Sequence, residues 1–376
     1  MKILYVTTIG ATMGFFKSII KELVEDGNTV DIACNEQLAQ VPEFYSELGC
    51  SQYHLDCTRS PFDSGNIKCI KQIKQLVEEN GYDVVHCHTP IVAFCTRLAC
   101  RCIRKKRARS SNPLRVFYTA HGFHFYKGAP KKNWIIFYPI EKLCARWTDT
   151  LITINNEDYN LAKNKFEGLG KSKLFQGCRV EYVPGVGVDV EKFANTIVDK
   201  KAKRAELGIP EDAFLLLSVG ELNENKNHQV VIRALAELMK TEEGKKKDYY
   251  YIVAGSGSLY NQLQKLINDL GLNNRVFLLG YRADCAEIYK IANLFVQPSL
   301  REGLPVSVME AESAGLACIG SGIRGNSDLI VAGNLFSPRS VDECIEKILC
   351  YPEDLSDMNC YGSAVVNESY FRLYNI

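Results

Sequence analysis

Short unbroken apolar runs alternate along this chain with longer stretches in which apolar residues recur every three or four positions. "KILYVTTIG" (Lys2 to Gly10) is of the first kind and predicts a buried strand ending in a turn. "FFKSIIKELVEDG" (Phe15 to Gly27) is of the second and predicts an amphipathic helix closed by glycine. "TVDIAC" is the next strand, and the same grammar returns in "DVVHCH", "RVFYTAHG" and "TLITIN", each followed by a helical or mixed segment. Such repetition predicts a parallel sheet with helices on both faces, a Rossmann-like first half.

After "VEYVPGVGVDVEKF" the pattern breaks into the charged, helix-prone "VDKKAKRAELGIP" and starts afresh at "AFLLLSVG", placing a boundary near Pro184 to Pro210. Four more strands follow in "YYYIVAGSGSL", "RVFLLGY", "LFVQPS" and "LACIGS", separated by helices that start around Asn227, Leu259, Asp284 and Pro305. The expected fold class is α/β, with two Rossmann-like domains facing each other across a cleft, residues 1–190 and 191–360. Residues 361–376 read as a C-terminal helix that could cross back to the first domain, although periodicity leaves open which domain it caps. Open parallel sheets bind ligands outside the carboxyl ends of their strands, so the chemistry is expected in strand-to-helix loops.

Composition changes this picture little. A chain of 376 residues exceeds one ordinary core and suits two domains. Lys and Arg number 45 against 44 Asp and Glu, a net charge of +1 that points neither to nucleic acid nor to an acidic tail. The fifteen cysteines, among them Cys34, Cys87, Cys95, Cys100, Cys102 and Cys318, lack metal-ligand spacing and read as reduced, buried thiols. Neither a signal peptide nor a run of eighteen apolar residues is apparent, so a cytoplasmic protein is expected, able to touch a membrane surface peripherally.

The loops carry the candidate chemistry. In "REGLPVSVMEAESAG", Glu302 precedes a short apolar helix and Glu310 lies within it, one turn from Val306 and from Ala314. A carboxylate on such a face is costly without partners, but Glu312 has almost equally apolar neighbours, so this argument alone does not separate the two. Pro305 suits the first helical turn, where its missing donor would be unpaired anyway. In "SVGELNENKNH" (Ser218 to His228), Lys226 stands where an anion would meet both an ammonium and a helix N-terminus; the alternative is a solvated turn lysine. "AGSGSL" (Ala254 to Leu259) offers small residues for close approach to a ligand, and Arg324 in "GIRGNSDLI" could meet a phosphate bidentately or sit in a surface ion pair.

Taken together, the block from Val219 to Ile330 resembles the donor domain of the retaining glycosyltransferases of family 4, with the GT-B fold. Glu302 and Glu310 meet its E-x7-E pattern, and "PSLREGLPVSVMEAESAGLACIGSGIRGNSDLI" is similar to the branch that builds capsular and exopolysaccharides. The likeness extends through "DVVHCHTP", "TAHGFHFYKGAPKKNWIIFYPIEK", "LITINNEDY" and "YVPGVGVDVEKF", nearly the whole chain. The resemblance implies that Glu302 contacts hydroxyls of the transferred sugar, that Glu310 holds the nucleotide ribose, and that Lys226 faces the diphosphate. It also implies that the backbone of "LGYR" (Leu279 to Arg282) meets the base and that His121 lies close to the donor sugar. The implied catalytic set is Glu302, His121 and Lys226. The implied donor set is Gly220, Glu221, Asn225, Lys226, Gly255, Tyr281, Arg282, Glu302, Gly303, Leu304, Pro305, Val306, Glu310 and Arg324.

One departure bears on the diphosphate. Many members carry an arginine after the strand glycine, where this chain has Glu221, so Lys226, helped by Arg324 and helix N-termini, is expected to supply the positive field. No metal and no cofactor is implied beyond the donor, a nucleotide sugar with UDP as carrier. The acceptor implied by the branch is a saccharide on a polyprenyl diphosphate, with Gly10, Thr12, Gly14, His88 and His124 on the acceptor side. "RCIRKKRAR" (Arg101 to Arg109) has six basic residues in nine and could attract an anionic leaflet. "GFHFYKGAPKKNWIIFY" mixes aromatics with lysines as membrane interfaces do; the plainer readings are a solvated loop and an ordinary core helix. A nucleotide-sugar epimerase of the same architecture and a nonenzymatic sugar-nucleotide-binding protein stand as alternatives. An NAD-dependent oxidoreductase is a weaker one, because "IGATMG" lacks the GxGxxG spacing and only Glu36 closes the second strand.

Overall fold

A computed structural model describes residues 1–61, 63–351 and 355–375; Ile376, the end of the expected C-terminal helix, and 352–354 of the second predicted domain lie outside them. The chain divides into two compact units, Met1–Gly187 with Ser363–Ile376, and Val188–Gly362.

In the first unit, seven strands run in parallel: β1 (Lys2–Ile9), β2 (Thr29–Asn35), β3 (Gln52–His54), β4 (Val84–His88), β5 (Arg115–Ala120), β6 (Thr150–Thr153) and β7 (Arg179–Tyr182), ordered β3-β2-β1-β4-β5-β6-β7. The second unit has β8 (Phe214–Val219), β9 (Tyr249–Ala254), β10 (Val276–Gly280), β11 (Leu294–Gln297), β12 (Cys318–Ser321) and β13 (Leu335–Phe336), ordered β10-β9-β8-β11-β12-β13 and also parallel. The unbroken apolar runs arise because helices cover both faces of each sheet. On β1, Leu4 and Val6 pack into one cluster while Ile3 and Tyr5 pack into the cluster on the opposite face. Fully burying each such side chain stabilises by roughly 1.5–3 kcal/mol. Tyr370 and Tyr374, from the Ser363–Tyr374 helix, belong to the second of these clusters.

Several elements differ from the expectation. The helix expected from Phe15 begins instead as a tight 3-10 turn over Gly10–Phe16 and becomes α-helical over Lys17–Glu25. Gly10 starts that turn against neighbouring backbone: its N–H bonds the Ala39 carbonyl at 3.0 Å, and a Cβ there would come within 2.5 Å of the same oxygen. The edge strands β3, β7 and β13, of two to four residues, carry too few apolar positions to show a period. Pro305 caps the Val306–Ser313 helix from outside rather than sitting in its first turn. All fifteen cysteines are free, but Cys102, Cys350 and Cys360 are exposed, because Cys102 shares the solvent face of its helix with Arg101, Lys105 and Lys106.

The basic run is smaller at the surface than its sequence suggests. Arg104 is buried, bonds Asp149 through Nε at 2.7 Å and lies over Phe175, and Arg107 donates to the Tyr82 carbonyl at 2.8 Å. A guanidinium leaves water only when paired, and these two are spent on folding. The Lys131–Ala145 helix is not an ordinary core helix. Phe137 and Tyr138 pack on the core and Glu141 forms a buried pair with Arg97 at 2.8 Å, while Ile135 (74% exposed), Ile136, Ile140 and Leu143 face outward. Lys131, Lys132 and Lys142 are exposed on the same helix, whose one acidic residue is the buried Glu141.

Candidate functional site

In the second sheet the chain order reverses between β8 and β11, and the crevice outside the carboxyl ends of such a pair is where open α/β sheets bind ligands. The loop after β8 carries Lys226 and the loop after β11 carries Glu302. Lys226 Nζ meets Glu302 Oε1 at 2.7 Å, both side chains being mostly but not wholly buried. Gln297, the last residue of β11, donates through Nε2 to the same oxygen at 3.0 Å.

The two loops are tied by their main chains. Leu300 N–H bonds the Asn225 carbonyl at 2.7 Å, Asn225 Nδ2 bonds the Arg301 carbonyl at 2.8 Å, and Asn227, left-handed at φ 53°, caps the His228–Leu238 helix and donates to the Pro298 carbonyl at 3.1 Å. Asn225 thus uses its amide on the neighbouring loop. Arg324 is buried in the loop after β12 and donates through Nε to the Glu302 carbonyl at 3.1 Å, so it holds the backbone of that residue. Gly303 and Leu304 pack closely there: a Cβ on Gly325, at φ 82°, would fall 2.5 Å from the Gly303 carbonyl oxygen.

The glycines of the "AGSGSL" loop make room chiefly for protein. A Cβ on Gly255 would lie 1.9 Å from the Gly220 carbonyl oxygen, and the Gly255 N–H bonds Gly280 O at 2.7 Å. Gly220 in turn leaves space for the aliphatic stem of Lys226, whose Cε would be 3.2 Å from an added Cβ. Glu221 is exposed and accepts from Asn223 Nδ2 at 3.0 Å.

Glu310 and Tyr281 lie in the same unit. Tyr289 donates its hydroxyl to Glu310 Oε2 at 2.9 Å, and burial raises the Glu310 carboxyl above the ordinary range, with Tyr289 and Lys192 pulling it partly back. Glu312 is buried and accepts from Ser356 N–H at 3.0 Å, and burial pushes it up to about 7. Tyr281 stands 82% exposed, whereas the Arg282 guanidinium is committed to Asp284 at 2.6 Å and Glu206 at 2.7 Å. Pro305 is buried and Val306 half-buried at the start of the glutamate helix.

The first unit holds the remaining candidates. Its order reverses between β1 and β4, where Thr8 and Thr89 hydroxyls meet at 2.7 Å. His88, buried at the end of β4, has Nδ1 at 3.2 Å from His121 Nε2 and rings of Tyr5, Phe16 and His86 around it. Burial lowers His121 to about 4 and His88 well below its ordinary value, so both imidazoles are neutral at physiological pH. Thr12 and His124 line a cavity of about 390 Å³ with Arg59, Thr89, Ile91 and Phe137. Gly10 is packed against Ala39, while a side chain at Gly14 would meet nothing.

Three groups were not singled out by sequence: Gln297, Tyr289, and the Tyr5, His86 and Tyr374 cluster, in which Tyr374 reaches Tyr5 at 2.8 Å. A glutamine closing the apolar run "LFVQ" before a proline is the one local signal among them.

Comparison with known proteins bears on these loops directly. The family profile described as Glycosyl transferases group 1 matches residues 199–358, and that described as Glycosyl transferase 4-like matches residues 2–155. EpsD of Bacillus subtilis (strain 168), named as a glycosyltransferase, is 36% identical over 336 residues, 88% of this chain and 81% of that protein. The UDP-Gal:alpha-D-GlcNAc-diphosphoundecaprenol alpha-1,3-galactosyltransferase of Escherichia coli is 30% identical over 314 residues, 80% of this chain and 76% of that protein. Among solved structures, Anabaena Alr3699/HepE in complex with UDP and glucose aligns over 100% of this chain and 99% of its own with a TM-score of 0.72 at 17% identity.

Proposed function

This chain belongs to the group 1 glycosyl transferase family with the GT-B fold, and on that premise we propose that it moves a sugar from a UDP-linked donor to a saccharide carried on a polyprenyl diphosphate. The observation that carries this reading is the Lys226–Glu302 pair at 2.7 Å, set at the order reversal of the second sheet. Departure of a nucleoside diphosphate loads negative charge onto the β-phosphate while the sugar becomes oxocarbenium-like. Cationic groups aimed at that oxygen are worth most in the transition state. Lys226 serves this role, with Arg324 holding the Glu302 backbone beneath it. A diphosphate at Lys226 shares the ammonium with Glu302, whose carboxylate then accepts hydroxyls of the sugar. Glu310, farther along the helix, takes the ribose. Glu302 and Glu310 address different parts of one donor, so they do not act as a glycosidase pair; retention follows when the acceptor hydroxyl oxygen bonds the anomeric carbon on the face the diphosphate leaves, its proton passing to the departing β-phosphate oxygen.

The acceptor reading draws support from the galactosyltransferase relative, whose named acceptor is a diphosphoundecaprenol. It draws further support from the Lys131–Ala145 helix, which turns five large apolar side chains, Trp134 among them, and three lysines outward. That combination suits an anionic leaflet, into which the isoleucines insert while the lysines meet headgroups. Among the described residues no helix is long and apolar enough to cross a membrane. The cavity lined by Thr12, Arg59, His124 and Phe137 adjoins this helix through Phe137 and is assigned to the acceptor.

The test is a panel of nucleotide sugars screened by thermal shift and then for transfer to a polyprenyl-diphosphate saccharide. A UDP-sugar that raises the melting temperature and is consumed only with acceptor supports the reading. Folded Lys226→Ala and Glu302→Ala variants that transfer as fast as the parent would overturn it.

A further inference from the structure

Gln297 ends β11 and is 2% exposed, yet every polar atom of its side chain is engaged. Nε2 donates to Glu302 Oε1 at 3.0 Å and to Ser299 Oγ at 3.3 Å, and Oε1 accepts from Ser307 Oγ at 3.3 Å. Its main-chain oxygen accepts from Asn326 Nδ2 at 3.3 Å and Ser321 Oγ at 3.4 Å. One buried residue therefore joins the loop after β11, the loop after β12 and the first turn of the glutamate helix.

The consequence falls on Glu302. Its Oε1 receives both Lys226 Nζ at 2.7 Å and Gln297 Nε2 at 3.0 Å, whereas Oε2 has no partner among the described residues. A lysine is a flexible point donor and cannot fix the plane of a carboxylate by itself. A second donor, mounted at the end of a strand, holds that oxygen in place. We propose that Gln297 is a positioning residue of the transfer reaction: it pins one oxygen of Glu302 and so presents the other to a hydroxyl of the donor sugar.

The residue type fits this role. An amide donates to the carboxylate without adding charge, so it neither competes with Lys226 as a cation nor repels Glu302 as an acid. The Glu302 carboxylate accepts and does not donate, which fixes the NH₂ end of the amide toward it, and the amide oxygen takes the Ser307 hydroxyl. The polar atoms of its side chain are already bonded to Glu302, Ser299 and Ser307, so its effect is expected through Glu302 on the sugar and not on UDP.

The inference rests on the reading of Glu302 as the sugar contact, and the experiment separates the two. Wild type, Glu302→Ala, Gln297→Leu and Gln297→Glu are compared for donor kcat/KM, for UDP affinity by calorimetry and for the pH profile of transfer. The Leu variant is expected to lose about ten-fold in kcat/KM, the scale of one hydrogen bond to a charged group, with UDP affinity changed less than about two-fold. The Glu variant sets a second carboxylate beside Glu302 and is expected to move the acid limb of the pH profile upward, a shift the Leu variant does not show. Equal loss of UDP affinity and kcat/KM in the Leu variant would mean a collapsed loop and would overturn the proposal. So would full kcat/KM in the Leu variant, or an unmoved acid limb in the Glu variant, alongside an inactive Glu302→Ala. An active Glu302→Ala instead strikes the underlying reading of Glu302.

Discussion

Glu310 and Glu312 lie two positions apart on one short helix and enter different surroundings. Glu310 accepts a hydrogen bond from the Tyr289 hydroxyl at 2.9 Å and is partly buried, while Glu312 is buried and meets Ser356 N–H at 3.0 Å. Two residues apart is more than half a turn, so one carboxylate meets Tyr289 of the Cys285–Ile291 helix and the other the main chain at Ser356.

Glu312 therefore carries a pH signature. The folded carboxyl titrates near 7, against 4.5 as a reference for the unfolded chain, so the folded form binds its proton more tightly. The stability this gives is whole below about 4.5 and is lost as pH rises through about 7. Glu312→Gln mimics the protonated form and is expected to stabilise at pH 8 by about 1–2 kcal/mol, less than the full shift implies because a buried amide NH₂ needs its own acceptor. Calorimetry should show a melting temperature higher by roughly 2–6 °C at pH 8, with the gap closing by pH 5. An equal gap at both pH values would contradict the assignment.

The same helix shows how far the sequence could be read. Strands buried on both faces are written as unbroken apolar runs, so "FLLLSV" and "YYYIVA" announce β8 and β9 without help from their surroundings. Asn227, Leu259 and Asp284 each stand at the cap of a helix, where the polar and small residues after each strand had placed the helix starts. What stayed hidden depended on distant partners. Glu310 and Glu312 have equally apolar neighbours in sequence, and only Tyr289 and Ser356 distinguish them. The amide of Asn225 and the guanidinium of Arg282 each bond a group 76 residues away in the chain, which no local pattern encodes.

Glu302 and Glu310 should separate kinetically. If Glu310 takes the ribose, Glu310→Ala weakens UDP and UDP-sugar alike, by about ten-fold for one charged hydrogen bond. If Glu302 takes the sugar, Glu302→Ala leaves UDP affinity nearly intact and lowers kcat/KM for the UDP-sugar by about ten-fold or more. Calorimetric titration with UDP, followed by initial rates, makes the comparison. Identical profiles for the two variants would refute the division of labour.

Tyr374 offers a test of the first unit. Its hydroxyl lies between Tyr5 OH at 2.8 Å and His86 Nδ1, all three residues being buried, and His86 Nε2 meets Thr119 Oγ1 at 2.8 Å. Tyr374→Phe keeps the ring and strands two buried polar groups, so a loss of about 1–3 kcal/mol is expected in urea melts. Burial also lowers His86 to about 3, and His121 and His228 to about 4. The unfolded chain takes up these protons near 6.5, so stability should decline as pH falls below that value. His88 is lowered in the same way, and the four histidines together outweigh the opposite contributions of Glu310 and Glu312, so a urea midpoint that rose between pH 6.5 and pH 4 would contradict the desolvation of these rings.

The outward face of the Lys131–Ala145 helix makes the last prediction. Ile135 is 74% exposed, with Ile136 and Ile140 on the same side and Lys131, Lys132 and Lys142 around them. Burying an isoleucine in an acyl boundary gains roughly 1.5–3 kcal/mol, and each lysine near an anionic surface about 1 kcal/mol. Replacing Ile135, Ile136 and Ile140 by serine should therefore cut binding to anionic vesicles by well over about ten-fold, while replacing the three lysines by glutamine should remove most of its dependence on lipid charge. Glu141 and Phe137, on the inner face, are untouched by either set, so folding and turnover of a water-soluble acceptor are expected to persist. Co-sedimentation with vesicles of graded anionic content measures both effects. Binding that survives the serine substitutions would assign this apolar stripe to something other than a bilayer.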